Sequence, residues 1–257
     1  MTYDNIIFVG DIHENFKPLL RYIKEYEIEN SLFYLCGDFG VGFGTEREER
    51  KKFNYYNTTF KSKNNKLISI RGNHDNPDFY KKNFKVSNIE CLPDYTVIEV
   101  NGINILGIGG AISVDRLPNP EMRDLVTRKS WKGRKEGKDY WVDEVVDVNE
   151  DKLNFLRNID IVVTHDSPDF CYPENYSGVE KWIKSDPDVK NDTIINRNKL
   201  TQIYDKLKVN NDIKYWFYGH FHQYNFSEID GTRFILLDID MCYPLDLRKC
   251  FGTENQI

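Results

Sequence analysis

No apolar run in this chain approaches the roughly 20 residues that a bilayer span requires. The opening Met1–Asn5 stretch has neither the basic start nor the apolar core of a signal peptide, and a cytoplasmic protein is expected. Paired cysteines are also missing. The five thiols (Cys36, Cys91, Cys171, Cys242 and Cys250) are odd in number and include no Cys-x-x-Cys. This fits buried or idle thiols in a reducing compartment better than a disulfide framework. A basic excess is absent too: 35 Lys and Arg face 41 Asp and Glu, for a net charge of -6. No global field therefore gathers nucleic acid by charge alone. Internal repeats, long linkers and low-complexity tracts are lacking, which favours one domain over residues 1–257.

What is present is a strand–turn–helix plan repeated three times. Asn5–Val9 reads as a strand, followed by Gly10-Asp11-Ile12-His13-Glu14-Asn15. A helix follows, with Asn15 as the expected N-cap, Pro18 in its first turn, and Phe16, Leu19, Leu20 and Ile23 on one face. Ser31–Leu35 is a second strand, leading into a loop with four glycines between Gly37 and Gly44, then a charged helix from near Thr45. No Gly-Lys-Ser/Thr follows, so this is not a phosphate-cradling P-loop. Leu67–Ile70 is a third strand. It ends in Arg71-Gly72-Asn73-His74-Asp75, where Gly72 is expected to let the chain turn.

The pattern then changes. Asn101-Gly102 between two strand-like runs predicts a hairpin, and Asp230-Gly231 predicts a second. Asn149 is positioned to cap a helix through about Arg157, and strands are expected over 160–163 and 214–218. Residues 112–147 and 169–192 read as surface insertions. The first carries Arg128, Lys129, Lys132, Arg134, Lys135 and Lys138, interleaved with Trp131, Tyr140 and Trp141. It reads as a solvated loop or as a wall that grips an anionic substrate, with Arg116 and Arg123 as the expected phosphate contacts.

The histidines sharpen this picture. There are only five, His13, His74, His165, His220 and His222, each close to an expected strand end and beside another polar group. Asp11 and His13 stand two apart on a segment expected to be extended, so both point to one side, and His220 and His222 repeat that spacing. Mixed imidazole and carboxylate donors favour a first-row metal such as Mn, Fe, Zn or Ni. There are enough groups for two divalent ions held roughly 3.5–4 Å apart by a shared carboxylate. Two such ions against Asp11 and Asp38 leave a locally positive cavity suited to phosphate.

The ordered set Asp11-x-His13, Gly37-Asp38, Gly72-Asn73-His74-Asp75, His165 and Gly219-His220-x-His222 resembles the calcineurin-like metallophosphoesterase superfamily. The resemblance implies an α/β fold, a four-layer α/β/β/α sandwich of two mixed sheets with a dinuclear metal site at strand ends. It implies that one metal takes Asp11, His13, Asp38 and His222, and the other Asp38, Asn73, His165 and His220. His74 is then a catalytic acid beside the substrate, oriented by Asp75. Asp38 is followed by Phe39-Gly40-Val41-Gly42 and His74 by Asp75, unlike the protein Ser/Thr phosphatases with their Gly-Asp-x-x-Asp-Arg-Gly and Gly-Asn-His-Glu. The Gly109–Arg116 stretch and the Trp-rich segment after it are similar to small bacterial or phage-type members.

The expected activity is phosphoester hydrolysis by a metal-bridging hydroxide, with Mn as the first choice of metal. The basic, aromatic segment tilts the substrate toward a nucleotide or nucleic-acid-like phosphoester. The alternatives are a phosphomonoesterase of small metabolites or phosphoproteins and, from another class, a non-catalytic scaffold with the same fold.

Overall fold

Strands form where β-branched and aromatic residues concentrate, and their two-residue side-chain period decides what each face covers. The computed structural model describes residues 2–124, 127–173 and 178–246. The first half runs β1 (Asn5–Val9), α1 (Lys17–Glu25), β2 (Ser31–Leu35), α2 (Glu46–Ser62), β3 (Lys66–Ser69), α3 (Pro77–Lys81), β4 (Lys85–Val86) and β5 (Ile89–Cys91). Then come the hairpin β6 (Thr96–Val100) and β7 (Ile103–Ile108), and a small ribbon of β8 (Asn119–Arg123) and β9 (Ser130–Trp131). The chain continues through α4 (Glu150–Phe155), β10 (Ile161–Thr164), α5 (Val189–Lys208), β11 (Tyr215–Tyr218), β12 (Asn225–Ile229), β13 (Thr232–Leu236) and β14 (Cys242–Pro244).

Two six-stranded mixed sheets result. The first has the order β14-β1-β2-β3-β5-β4, with β1, β2, β3 and β5 parallel and β14 antiparallel to β1. The second has the order β12-β13-β11-β10-β7-β6, with four central parallel strands between antiparallel edges.

Alternation along the strands builds three apolar layers. Ile7, Val9, Phe33, Leu35 and Leu67 meet Leu19, Ile23, Phe53, Phe60 and Phe79 of α1 to α3. The opposite faces, Ile6, Phe8, Leu32 and Tyr34, meet Ile105, Ile161, Val163, Phe217 and Ile235 of the second sheet. Phe8 and Phe217 stack there with centroids 3.7 Å apart. Leu106, Val162, Trp216 and Leu236 then pack on Leu153, Leu200, Ile203 and Leu207 of α4 and α5. The molecule is a four-layer α/β/β/α sandwich.

Most local signals hold. Thr45 caps α2 in a capping box with Glu48, and the Asn149 side chain accepts from Lys152 N. Both hairpin turns are left-handed at their two central residues, with φ of 54° and 78° at Asn101-Gly102 and 48° and 75° at Asp230-Gly231. Asn15 does not cap α1. The N-cap position is Phe16, in helical geometry, and Pro18 alone marks the start. Helix α4 ends at Phe155, short of Arg157, and α5 takes the last residues of the 169–192 segment. Cys36, Cys91 and Cys171 are buried free thiols and Cys242 is half-buried. Cys250 lies outside the described residues. Among the described residues, no helix is long and apolar enough to cross a membrane.

Candidate metal centre

Parallel strands deliver their carboxyl ends to one edge, and two sheets packed face to face bring two such edges together. Asp11 and His13 follow β1, Asp38 follows β2, and Asn73 and His74 follow β3. His165 follows β10, and His220 and His222 follow β11. The structure gathers all of these expected residues. Ligand atoms of Asp11, His13, Asp38 and His222 all lie within 4.8 Å of one another. His222 Nε2 is 3.3 Å from Asp11 Oδ2 and 3.1 Å from His13 Nε2. On the other side of Asp38, His165 Nε2 lies 3.1 Å from Oδ1 and 3.1 Å from Asn73 Oδ1. The His220 ring is 5.0 Å from that of His165. Asp38 therefore stands between two donor sets.

The local backbone is made for this convergence. His13, Asp38, His220 and His222 all have left-handed φ, between 42° and 70°. Non-glycine residues hold that geometry only where the surroundings enforce it. The expectation that Asp11 and His13 share one face of an extended segment is corrected: the chain turns at His13, and the turn aims the imidazole. Gly72 also differs from expectation. Its φ is ordinary, and glycine is needed because a Cβ there would sit 2.1 Å from Asp38 Oδ1. Gly219 stands in the same relation to Asp11 Oδ1, also at 2.1 Å.

Asp75 does not touch the His74 ring in the way the resemblance implies. Its carboxylate is fully buried and accepts from four backbone amides: Gly40 and Gly72 at 2.8 Å, Val41 at 3.0 Å and Phe39 at 3.2 Å. It ties the loop after β2 to the loop after β3, and so sets the Asp38–Asn73 spacing. Burial and the nearby Asp38 charge push it up to about 6 despite those donors.

Burial disfavours charge on Asp38, yet His165 above all, with His74 and His13, holds its carboxyl well below the usual range. Burial likewise opposes charge on His165, but Asp38 and Asp11 raise it to about 10. These charges favour a positive group where the acidic side chains converge. The donor set, two carboxylates shared among imidazoles and one amide oxygen, fits divalent transition metals. The candidate ligands are Asp11, His13, Asp38 and His222 for one ion, and Asp38, Asn73, His165 and His220 for the other.

A family model for calcineurin-like phosphoesterases matches residues 5–224. The chain belongs to that family. Solved structures with a similar fold include a phosphopantetheinyl hydrolase from Mycobacterium tuberculosis. It is 13% identical, with a TM-score of 0.48, over 94% of this chain and 96% of that one. A second, assigned as a 5′-nucleotidase from Staphylococcus aureus, is 13% identical with a TM-score of 0.48, over 92% of this chain and 49% of that one. A third is GAP50, the anchor in the inner membrane complex of Plasmodium, 12% identical with a TM-score of 0.43, over 91% of this chain and 71% of that one. Among curated proteins, none matches the sequence.

This calcineurin-like phosphoesterase surrounds the candidate ligands with a second set of residues that the sequence does not announce. Asn73 Nδ2 donates to Ser113 Oγ at 3.2 Å, which leaves Oδ1 turned toward His165 Nε2. Glu144 in turn accepts from Ser113 N at 2.6 Å and Oγ at 2.9 Å, and burial pushes its carboxyl up to about 8. The Cys36 carbonyl meets His165 Nδ1 at 2.8 Å. Arg71, nearly buried, donates to the carbonyls of Asp143, Glu144 and Val145 and to Asp94, so the end of the 112–147 segment is fastened to the end of β3.

That segment does reach the site, through a different arginine from those expected. Arg116 is turned away into ion pairs with Asp186 at 2.6 Å and Asp192 at 2.5 Å. Arg123 donates to Ser130 Oγ within the ribbon. The residue at His74 is Arg134, with Nη2 3.0 Å from Nε2 and Nη1 3.3 Å from Nδ1. In sequence it was one basic residue among six, and only tertiary folding distinguishes it. Trp141 is buried against Phe43, and Trp131 donates from Nε1 to the Asp115 carbonyl, so these rings are engaged in packing.

Proposed function

We propose that this protein hydrolyses phosphoric esters, using two divalent transition-metal ions held by the two donor sets that share Asp38. The observation carrying the reading is the convergence of Asp11, His13, Asp38, Asn73, His165, His220 and His222 at one sandwich edge. When bound, such ions supply Lewis acidity, drawing charge from phosphoryl oxygens and making water acidic enough to attack near neutral pH.

The protein's own residues position and exchange protons. Asn73, with its amide fixed by Ser113, presents Oδ1 to the site. The His74 main-chain N–H donates to Asp38 Oδ1 at 2.8 Å, which sets the imidazole at the rim of the donor sets. Burial first, then Arg134 and His13, lower His74 to about 4, against the opposing charge of Asp38. It is therefore neutral before substrate arrives. A bound phosphate brings negative charge beside the ring and raises its basicity, so that His74 takes up a proton and delivers it to the leaving oxygen.

Manganese is the first metal to try. Purified protein reloaded with Mn²⁺ is expected to hold close to two ions per chain and to turn over a nitrophenyl phosphate. Failure to bind any transition metal, or to cleave mono- or diester with Mn²⁺, Fe²⁺, Zn²⁺ or Ni²⁺, would overturn the reading in favour of a scaffold. The nucleic-acid-like substrate suggested by the basic, aromatic segment loses support, because Trp131 and Trp141 are committed to internal contacts. A small phosphoester fits better.

A further inference from the structure

Arg134 and His74 meet in a contact that neither can complete. Two guanidinium nitrogens lie within 3.3 Å of the two ring nitrogens. A neutral imidazole has one acceptor nitrogen and one N–H, so it can accept from only one of them. A protonated ring could accept from neither and would set two cations side by side. The far edge of the guanidinium is fully engaged: Asp115 takes Nε at 2.5 Å and Nη2 at 2.7 Å, and the Asp139 carbonyl lies 3.3 Å from Nη1. The arginine side chain is only 11% exposed. A carboxylate thus clamps its head, and the remaining donors face the ring beside the metal ligands. The His13 ring, 4.8 Å from that of His74, closes the same space.

An oxyanion entering there would give Arg134 charge-assisted hydrogen bonds, about twice as strong as neutral ones. Phosphomonoesters and diesters differ at that point. Near neutral pH a monoester carries up to two charges on three non-bridging oxygens. A diester carries one charge on two.

We propose that Arg134 binds the third non-bridging oxygen, which only a monoester has, and so makes this site selective for phosphomonoester dianions. The inference rests on the hydrolytic reading above and deepens it. Asp115 acts as a positioning residue that holds the fork in place.

The test compares wild type with Arg134→Met and Arg134→Lys in two measurements. One is kcat/KM for nitrophenyl phosphate and for bis-nitrophenyl phosphate in Mn²⁺-loaded protein. The other is calorimetric binding of inorganic phosphate, with and without Mn²⁺. Arg134→Met should lose about 10–100-fold more kcat/KM on the monoester than on the diester, chiefly through KM, as expected for losing a hydrogen bond to a charged group. Its phosphate binding should weaken at least about 10-fold, with Arg134→Lys in between.

Equal losses on both esters, or phosphate binding unchanged in a folded Arg134→Met, would overturn the proposal and leave Arg134 as a loop tie. If Arg134→Met does not fold, Arg134→Lys carries the same comparison, and an unchanged ester ratio there also overturns it. If wild type cleaves neither ester, the hydrolytic reading fails, while phosphate binding still decides the role of Arg134. Wild type that binds no phosphate sinks that role as well.

Discussion

The two donor sets share Asp38 but live in different surroundings. The His165 side chain has no solvent exposure, and Asn73 is buried. Each has an outer partner, the Cys36 carbonyl for His165 and Ser113 for Asn73. On the other side His13 and His222 are 27% and 45% exposed and lean on each other. A buried ligand with its second hydrogen bond made is already in its binding geometry, whereas an exposed one must be ordered by the ion itself. The comparison predicts one ion held firmly and one that exchanges.

Removing the residue common to both sets should have the largest effect. Asp38→Asn is expected to lower kcat/KM by at least about 1,000-fold and to take metal content well below two ions per chain, read by elemental analysis. Loss of activity with both ions retained would contradict a bridging role. His74→Asn should separate chemistry from metal holding: kcat falls about 10²–10⁴-fold while both ions remain. Full turnover in that variant would remove His74 from the mechanism.

The comparison itself is put at risk by paired substitutions. His222→Gln should weaken one ion about 10–100-fold, in a way that excess Mn²⁺ restores. His165→Gln should not be restored by the same excess. The reverse ranking would break the distinction between a firm and an exchanging ion. Protonation offers a further check. Burial opposes charge on His165, but Asp38 and Asp11 raise it to about 10, so in protein stripped of metal His165 is expected to hold a proton at pH 7. An ion must displace that proton, and uptake should release it. Calorimetry in buffers of different ionisation enthalpy would show the release, and buffer-independent heats would contradict it.

The smallest effect concerns support for the buried set. Glu144 is pushed up by burial from 4.5 to about 8, so the folded state binds its proton more tightly than the unfolded state. That contribution to stability is complete below about pH 4.5 and declines as pH rises toward 8. Glu144→Gln cannot ionise, so its melting temperature should gain on that of wild type between pH 5 and pH 8. Parallel profiles would show that Glu144 titrates normally.

Much of this arrangement was legible before folding. The strand–turn–helix units, the two hairpin turns and the placing of Asp, Asn and His residues just after strand ends depend on short-range patterns, and those patterns survive in the fold. Four things were not legible, and the first three share one physical reason: each depends on groups far apart in sequence. Asp75 serves amides more than 30 residues away as well as Gly72, and so looked like a partner for its neighbour. Glycines 72 and 219 are fixed by the proximity of Asp38 and Asp11. Arg134 reaches His74 across 60 residues, while Arg116 finds Asp186 and Asp192. Strands as short as β4 and β14 gave no periodic signal to read.

The left-handed backbone at His13, Asp38, His220 and His222 has an evolutionary consequence. Each such residue costs of order 1 kcal/mol that a glycine would not. Replacing the exposed His222 by glycine would relax the loop while removing a ligand. A sturdier protein that holds its exchanging ion less firmly therefore lies one substitution from the working one. Selection for heat resistance alone would favour it, and only demand for the chemistry keeps a histidine at this left-handed position.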